Sequence, residues 1–282
     1  MKIVIAKDAG YCFGVRDAVN LAHDTAKKFN DVYMLGDIVH NESVVKDLNQ
    51  AGAKVVESLN DVPDNKKILF RAHGTVPDLW DEAKEKKKDV IDATCPLVHK
   101  IHEEVKELSD EGRRVVVIGD HGHDEVVAIA AQVKNSIVVA NKEEAQNLRK
   151  YKKVGVVSQS TQMIENVQEI LDVLVSKAYD LRFINTICYP TKRNHEQIKD
   201  LAEESDVIII IGSFTSANSK RLTKMSKTIN SRTYQVTCSE EIDKKWFLNC
   251  SKVGISAGAS TPDYLIDSVA DEIKKIANKK IS

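Results

Sequence analysis

The stretch Ile91–Glu125 reads IDATCPLVHKIHEEVKELSDEGRRVVVIGDHGHDE. It opens as a short apolar strand that ends in Cys95, and Pro96 follows at once. Proline suits the first position of a helix, where its missing N–H is no loss. Leu97, Val98, Ile101, Val105 and Leu108 then fall on one face at a helical period. Glu111-Gly112 stops that helix, and Arg114–Ile118 reads as a fully buried strand. Gly119 and a polar turn, Asp120-His121-Gly122-His123-Asp124-Glu125, close it. One cysteine therefore stands where a strand hands over to a helix, and a His/Glu cluster stands at the next such handover. Open α/β sheets bind ligands at these carboxyl ends of their strands.

The same unit occurs three times. Cys12 and Cys188 are each followed by a helical segment, a short apolar strand (Val32–Leu35 and Val207–Ile211) and a glycine. The spacing repeats: 36 − 12, 119 − 95 and 212 − 188 all give 24. His40, His123 and Ser216 share the next place, since 40 − 12, 123 − 95 and 216 − 188 all give 28. A further strand and turn closes each unit: ILFRAHGTVPD (68–78), VGVVSQSTQ (154–162) and VGISAGASTPD (253–263), with hydroxyls at Thr75, Thr161 and Ser260. The period is too long for a solenoid. It predicts an α/β fold of three units about a pseudo-threefold axis, each pointing one cysteine at the centre. The expected boundaries are 13–95, 96–188 and 189–282, with the N-terminal strand 1–12 joined to the third unit.

Composition bounds the function. Apolar residues make up 42% and charged residues 29% of 282, which is ordinary for a globular protein. A net charge of −1 gives no electrostatic footprint for nucleic acid or a membrane surface. The longest aliphatic run, Val207–Ile211, is far too short to span a bilayer. The N-terminal MKIVIAKDAGYCFG lacks the pattern of a cleaved leader. Five cysteines, an odd number, do not read as a secreted disulfide framework, so the expected compartment is the cytoplasm.

Free cysteine often serves as a small buried hydrophobe. That reading suits Cys238 and Cys250, which lie outside the repeat. It does not explain why Cys12, Cys95 and Cys188 recur at one repeat position, each opening a helix. A helix N-terminus favours the thiolate, the metal-binding form. Three thiolates suit an iron–sulfur cluster or zinc, and the thiolate-rich set favours the cluster. Three protein ligands also leave one metal corner open to substrate. The remaining turns add His40-Asn41, His73, His123, Gln159-Ser160-Thr161, Ser216-Ala217-Asn218 and Ser260. Neutral donors beside helix N-termini make a phosphate site. Glu125 is the carboxylate paired with a candidate histidine, and so the natural proton donor. Glu42 also lies 30 residues past its cysteine, as Glu125 does (42 − 12 and 125 − 95). His23 is expected to be half-buried and structural, and His99 and His102 to share an exposed helix face. A non-catalytic iron–sulfur redox sensor or electron carrier, or a zinc hydrolase with Glu125 as base, are the other classes these residues admit.

Taken together, AGYCFGVRDAV, His40-Asn41, AHG (72–74), DATCPLV, GHDE (122–125), SQST, NTICYPT, GSFTSANSKRL and GASTPD closely resemble the 4-hydroxy-3-methylbut-2-enyl diphosphate reductases. The resemblance spans essentially the whole chain. It implies a trefoil of three α/β domains around a [4Fe–4S] cluster held by Cys12, Cys95 and Cys188, whose open iron takes the substrate's allylic hydroxyl. It implies that Glu125 protonates that oxygen, that His123 helps position it, and that Ser160 and Thr161 serve the hydroxyl and proton relay. The diphosphate would be held by His40, His73, His123, Thr161, Ser216, Asn218 and Ser260. Isopentenyl and dimethylallyl diphosphate would be the products, with reduced ferredoxin or flavodoxin as electron donor. Two positions depart from the family pattern: Ala217 replaces a serine, and Ser160 a threonine.

Overall fold

The computed structural model describes residues 1–29 and 31–279. In chain order the first segment contains β1 (Lys2–Ile5), α1 (Phe13–Phe29), β2 (Val32–Leu35), α2 (Glu42–Gln50), β3 (Ala53–Val56), β4 (Lys67–Phe70), α3 (Pro77–Glu85) and β5 (Asp89–Asp92). The middle segment contains α4 (Pro96–Asp110), β6 (Arg114–Ile118), α5 (Asp124–Ala130), β7 (Ile137–Val139), α6 (Lys142–Gln146), β8 (Tyr151–Ser158), α7 (Ile164–Lys177) and β9 (Ala178–Phe183). The last contains α8 (Tyr189–Glu204), β10 (Val207–Ile211), α9 (Ala217–Ile229), β11 (Thr233–Val236), β12 (Lys252–Ala257) and α10 (Asp263–Lys279). Among the described residues no helix is long and apolar enough to cross a membrane.

The chain forms two compact units. One comprises Met1–Arg16, His40–Lys46 and the chain from Tyr189 onward; the other comprises Asp17–Val39 and Asp47–Cys188. The first unit holds one four-stranded sheet, in the order β1-β12-β10-β11. The second holds two, β3-β2-β4-β5 and β7-β6-β8-β9. Every pairing is parallel. The three sheets share one topology, in which the strand first in sequence lies between the second and the third, and the fourth lies outside the third. In the first unit that fourth place is taken by β1, from the N-terminus, in register Lys2 with Lys252 through Ile5 with Ile255.

Parallel strands covered on both faces read as unbroken apolar runs, and β10, VIIII, is wholly buried. Alternation along β6 and β8 divides two cores. Val116, Ile118, Val154 and Val156 pack with Val167, Ile170 and Leu174 of α7. Val115, Val117 and Val157 face Ile101, Val105 and Leu108 of α4. Each such side chain, fully buried, contributes about 1.5–3 kcal/mol. In the β2–β5 sheet Phe70 meets Trp80 of α3 edge-on, with centroids 4.7 Å apart. These cores hold the strand ends, and therefore the loops beyond them, in place.

Candidate functional site

In each sheet the chain leaves the first strand toward one side and returns on the other, so the crevice between first and third strands is a topological switch point. Ligands bind there in open α/β sheets. The three repeat glycines mark it alike: the N–H groups of Gly36, Gly119 and Gly212 donate to Val56 O (2.9 Å), Val139 O (3.1 Å) and Val236 O (2.9 Å), the last residues of the neighbouring strands. The loops after the third strands carry His73, Ser160-Thr161 and Ser260. Those after β6 and β10 carry His123 with Glu125, and Ser216 with Asn218.

Each cysteine follows the fourth strand of a sheet and is tied to the third-strand loop by its backbone. Cys12 N–H donates to Ala259 O (3.3 Å), Cys95 N–H to Ala72 O (3.0 Å) and Cys188 N–H to Ser160 O (2.9 Å). The three acceptors lie two residues beyond their strands. This register makes His73, Thr161 and Ser260 the true equivalents, so Thr75 does not match Thr161 and Ser260 as their shared hydroxyls suggest. None of the three cysteines is in a disulfide, and all are half-buried. Each stands just before a helix: Cys12 O accepts from Arg16 N (2.9 Å), Cys95 O accepts from His99 N (3.1 Å), and α8 begins at Tyr189.

The helix caps correct a second alignment. His123 caps α5 and Ser216 caps α9, each through its side chain. In α2 the capping side chain is Asn41, which accepts from Ser43 N (3.1 Å) and Val44 N (3.2 Å). His40 therefore lies one residue before the cap. Glu42 is the first helical residue, in the place of Asp124 and Ala217, while Glu125 is the second, in the place of Ser43 and Asn218. The equal spacing of 30 residues does not make the two glutamates equivalent.

In the second unit Glu125 is buried, with 3% exposed. Its Oε1 accepts the Ser160 N–H at 2.6 Å and its Oε2 accepts the Ser160 hydroxyl at 2.9 Å. Since Ser160 O accepts from Cys188 N, the carboxyl is fixed to the loop that fixes that cysteine. His123 Nδ1 accepts the Glu125 N–H at 3.2 Å, which in the neutral ring puts the proton on Nε2. The rings of His73 and His123 stand perpendicular with centroids 5.7 Å apart. Thr161 is half-buried beside Ser160.

In the first unit the Ser260 hydroxyl donates to His40 O at 3.1 Å, bringing the His40 turn to the loop after β12. Glu42 Oε1 accepts from the Ser213 hydroxyl at 2.7 Å, and the Ser213 and Thr215 hydroxyls are 2.7 Å apart. Glu42 thus fastens the start of α2 to the loop that leads into α9. Ser216 Oγ accepts from Ser219 N at 3.3 Å. Asn218 is 5% exposed, yet neither end of its amide has a hydrogen-bond partner among the described residues. A buried amide without partners costs about 1–3 kcal/mol, so this side chain suits a polar ligand. Ala217 is buried and supplies only its backbone.

Three further residues differ from expectation. His102 is 7% exposed rather than on an open face; burial, then His99 and Lys106, push its pKa down to about 4. It lies under the His73-Gly74 turn, where a Cβ on Gly74 (φ +86°) would meet its ring at 2.8 Å. Cys238 and Cys250 are half-buried, not buried, the latter giving its Sγ–H to Lys252 O at 3.4 Å. His23 is half-buried, as expected, and His99 is exposed and bonded to Asp92 at 2.9 Å. The sequence reading passed over Ser213, the anchoring role of Glu42, and an ion pair between Arg71 and Asp124.

A family model described as LytB protein matches residues 3–274. The 4-hydroxy-3-methylbut-2-enyl diphosphate reductase of Geotalea daltonii is 42% identical over 281 residues, 99% of each chain. That of Geobacter metallireducens is 41% identical over 283 residues, the full length of both. A solved (E)-4-hydroxy-3-methyl-but-2-enyl diphosphate reductase, the terminal enzyme of the non-mevalonate pathway, superposes with a TM-score of 0.74 at 38% identity, covering 98% of this chain and 100% of that one. The E-1-hydroxy-2-methyl-but-2-enyl-4-diphosphate reductase of Plasmodium falciparum gives 0.92 at 30% identity, over 96% and 87%.

Proposed function

The chain belongs to the LytB protein family, and from that membership we propose how its own residues share the reaction. It is an oxidoreductase of the non-mevalonate isoprenoid pathway, reducing 4-hydroxy-3-methylbut-2-enyl diphosphate to isopentenyl and dimethylallyl diphosphate. Two electrons and two protons enter, the allylic carbon–oxygen bond breaks, one proton leaves with the oxygen as water, and the other ends on carbon.

Cys12, Cys95 and Cys188 are the proposed ligands of an iron–sulfur cluster. The donor set fits. All three lie outside any disulfide at the start of a helix, where the positive end of the dipole favours the thiolate, and each is anchored by its own N–H. When bound, such a cluster would pass on, one at a time, the two electrons that the donor supplies, and would offer an iron to an oxygen ligand. The observation that carries the assignment of the acid is the buried place of the Glu125 carboxyl, 3% exposed, with two hydrogen bonds from Ser160 fixing its orientation. Glu125 holds the proton that leaves with the hydroxyl oxygen, and the Ser160 and Thr161 hydroxyls relay its replacement. His123, with its proton on Nε2, and His73 donate to the substrate. His40, Thr161, Ser216, Asn218 and Ser260 complete the diphosphate shell, with Asn218 contributing the amide that lacks a partner among the described residues. Reduced ferredoxin or flavodoxin is the proposed electron donor, and the cytoplasm, which suits five cysteines outside any disulfide, the proposed compartment.

Iron and sulfide analysis after anaerobic purification tests this reading. The expected result is a four-iron cluster with one iron distinct in the Mössbauer spectrum. Cys12→Ser, Cys95→Ser and Cys188→Ser should each lose iron, while Cys238→Ser and Cys250→Ser keep it. Iron loss in either of the last two, or stoichiometric zinc in the parent, would overturn it.

A further inference from the structure

The loop after β4 carries His73, and the start of α5 carries His123 and Glu125. Both lie in the second unit, on different sheets. Arg71 and Asp124 form an ion pair between them. Their side chains are only 24% and 31% exposed, so the pair is less screened than a surface bridge. The room for it is built in: Gly36, with φ +71°, ends β2 at a point where a Cβ would sit 3.1 Å from the Arg71 guanidinium. Any side chain there would be strained by its backbone and would crowd the arginine.

Each partner is held by its own loop. Arg71 O accepts from Gly74 N at 3.2 Å, which makes residues 71–74 a tight turn, and Ala72 O accepts from Cys95 N. On the other side Asp124 lies between His123, which caps the helix, and Glu125, which Ser160 holds. One continuous path therefore runs from Cys95 through Ala72, Arg71, Asp124, Glu125 and Ser160 to Cys188. The ion pair is the side-chain step in it that passes from one sheet's loops to the other's.

We propose that Arg71 and Asp124 are positioning residues, which set the spacing of His73 and His123 for the diphosphate. The inference rests on the reductase reading. Two imidazoles 5.7 Å apart and perpendicular serve one anion only while their loops keep that separation. Arg71 also cancels the Asp124 carboxylate, which beside His123 would otherwise repel the diphosphate. Arg71→Gln removes the clamp and the charge opposite Asp124 together; Arg71→Lys keeps that charge on an ammonium.

Calorimetric titration of the iron-loaded protein with isopentenyl diphosphate, alongside steady-state kinetics with a small artificial reductant, tests the proposal. Arg71→Gln should weaken diphosphate binding and raise KM by about tenfold, the size expected for a coupled, half-buried pair. Its kcat should stay within about threefold and its iron content at the parent level; Arg71→Lys should recover most of the affinity. Unchanged affinity in Arg71→Gln, equal losses in Arg71→Gln and Arg71→Lys, or loss of iron would each overturn it. A parent that fails to bind isopentenyl diphosphate would instead sink the reductase reading itself.

Discussion

Replacing Glu125 by glutamine separates proton donation from architecture. Glutamine keeps an acceptor oxygen for the Ser160 N–H, now held at 2.6 Å. Its amide nitrogen then faces the Ser160 hydroxyl, now 2.9 Å away, which can rotate to accept. Both Ser160 bonds can be kept by the neutral amide, so the local loss is about 1 kcal/mol or less. The chemical loss is larger, because expelling hydroxide in place of water forgoes a general acid worth about 10²–10⁴ in rate. We expect Glu125→Gln to retain iron and bind substrate but turn over at least about a hundredfold more slowly. Glu42→Gln is the matched control. It keeps an oxygen for the Ser213 hydroxyl, 2.7 Å away, so turnover should stay within a few-fold. The assay is single-donor turnover with reduced methyl viologen, normalised to iron content. An active Glu125→Gln, or a dead Glu42→Gln that keeps its iron, would refute the assignment of the acid.

The remaining predictions concern binding and stability. Asn218→Ala removes the buried amide that has no partner among the described residues, so KM should rise by the worth of a hydrogen bond to a charged group, about 1.5–3 kcal/mol; an unchanged KM and iron spectrum would remove it from the site. His102 has a folded pKa of about 4 against 6.5 in its absence of burial. As pH falls the unfolded chain takes the proton first, so stability present above pH 6.5 is lost on the way to pH 4. Urea unfolding should show about 2 kcal/mol of this loss between pH 7 and pH 5. His102→Leu should lose that much less over the same range, and parallel pH curves for the two proteins would contradict the burial argument.

Much of the fold was legible because parallel α/β sheets write themselves plainly. VIIII at 207–211 is short, β-branched and bounded by turns, as a strand covered on both faces should be, and Pro96 stands at the first position of a helix, where proline is favoured. Loop lengths were harder. Equal spacing aligned His40 with His123 and Ser216, but the cap of α2 falls on Asn41, one residue later than the repeat predicts. That one residue decides whether Glu42 matches Glu125. Thr75 went wrong for the same reason: counting hydroxyls cannot replace counting residues from the strand end. His102 was misread because its polarity hid its position. Val98, Ile101, His102, Val105 and Leu108 are one buried stripe, and the histidine completes it at a regular helical step. Arg71 and Asp124 left no periodic trace, since an ion pair across two sheets has no fixed sequence spacing.

The cysteines sit at joints, and this separates their proposed ligand role from their structural one. The N–H of each is bonded to the loop after the third strand of one sheet, while the chain beyond it opens the next helix. For Cys95 that helix, α4, packs on β6 and β8 through Ile101, Val105 and Leu108; for Cys188 it is α8, which packs on β10 and β12. The joint is made by backbone atoms, which serine supplies equally well, and serine is itself a good residue before a helix. Each Cys→Ser variant should therefore fold, with near-parent circular dichroism, and lose iron alone. The comparison must be made between iron-free parent and iron-free variants, because bound metal stabilises by mass action. A variant that unfolds relative to the iron-free parent would show that the thiol itself, rather than the backbone around it, holds the joint.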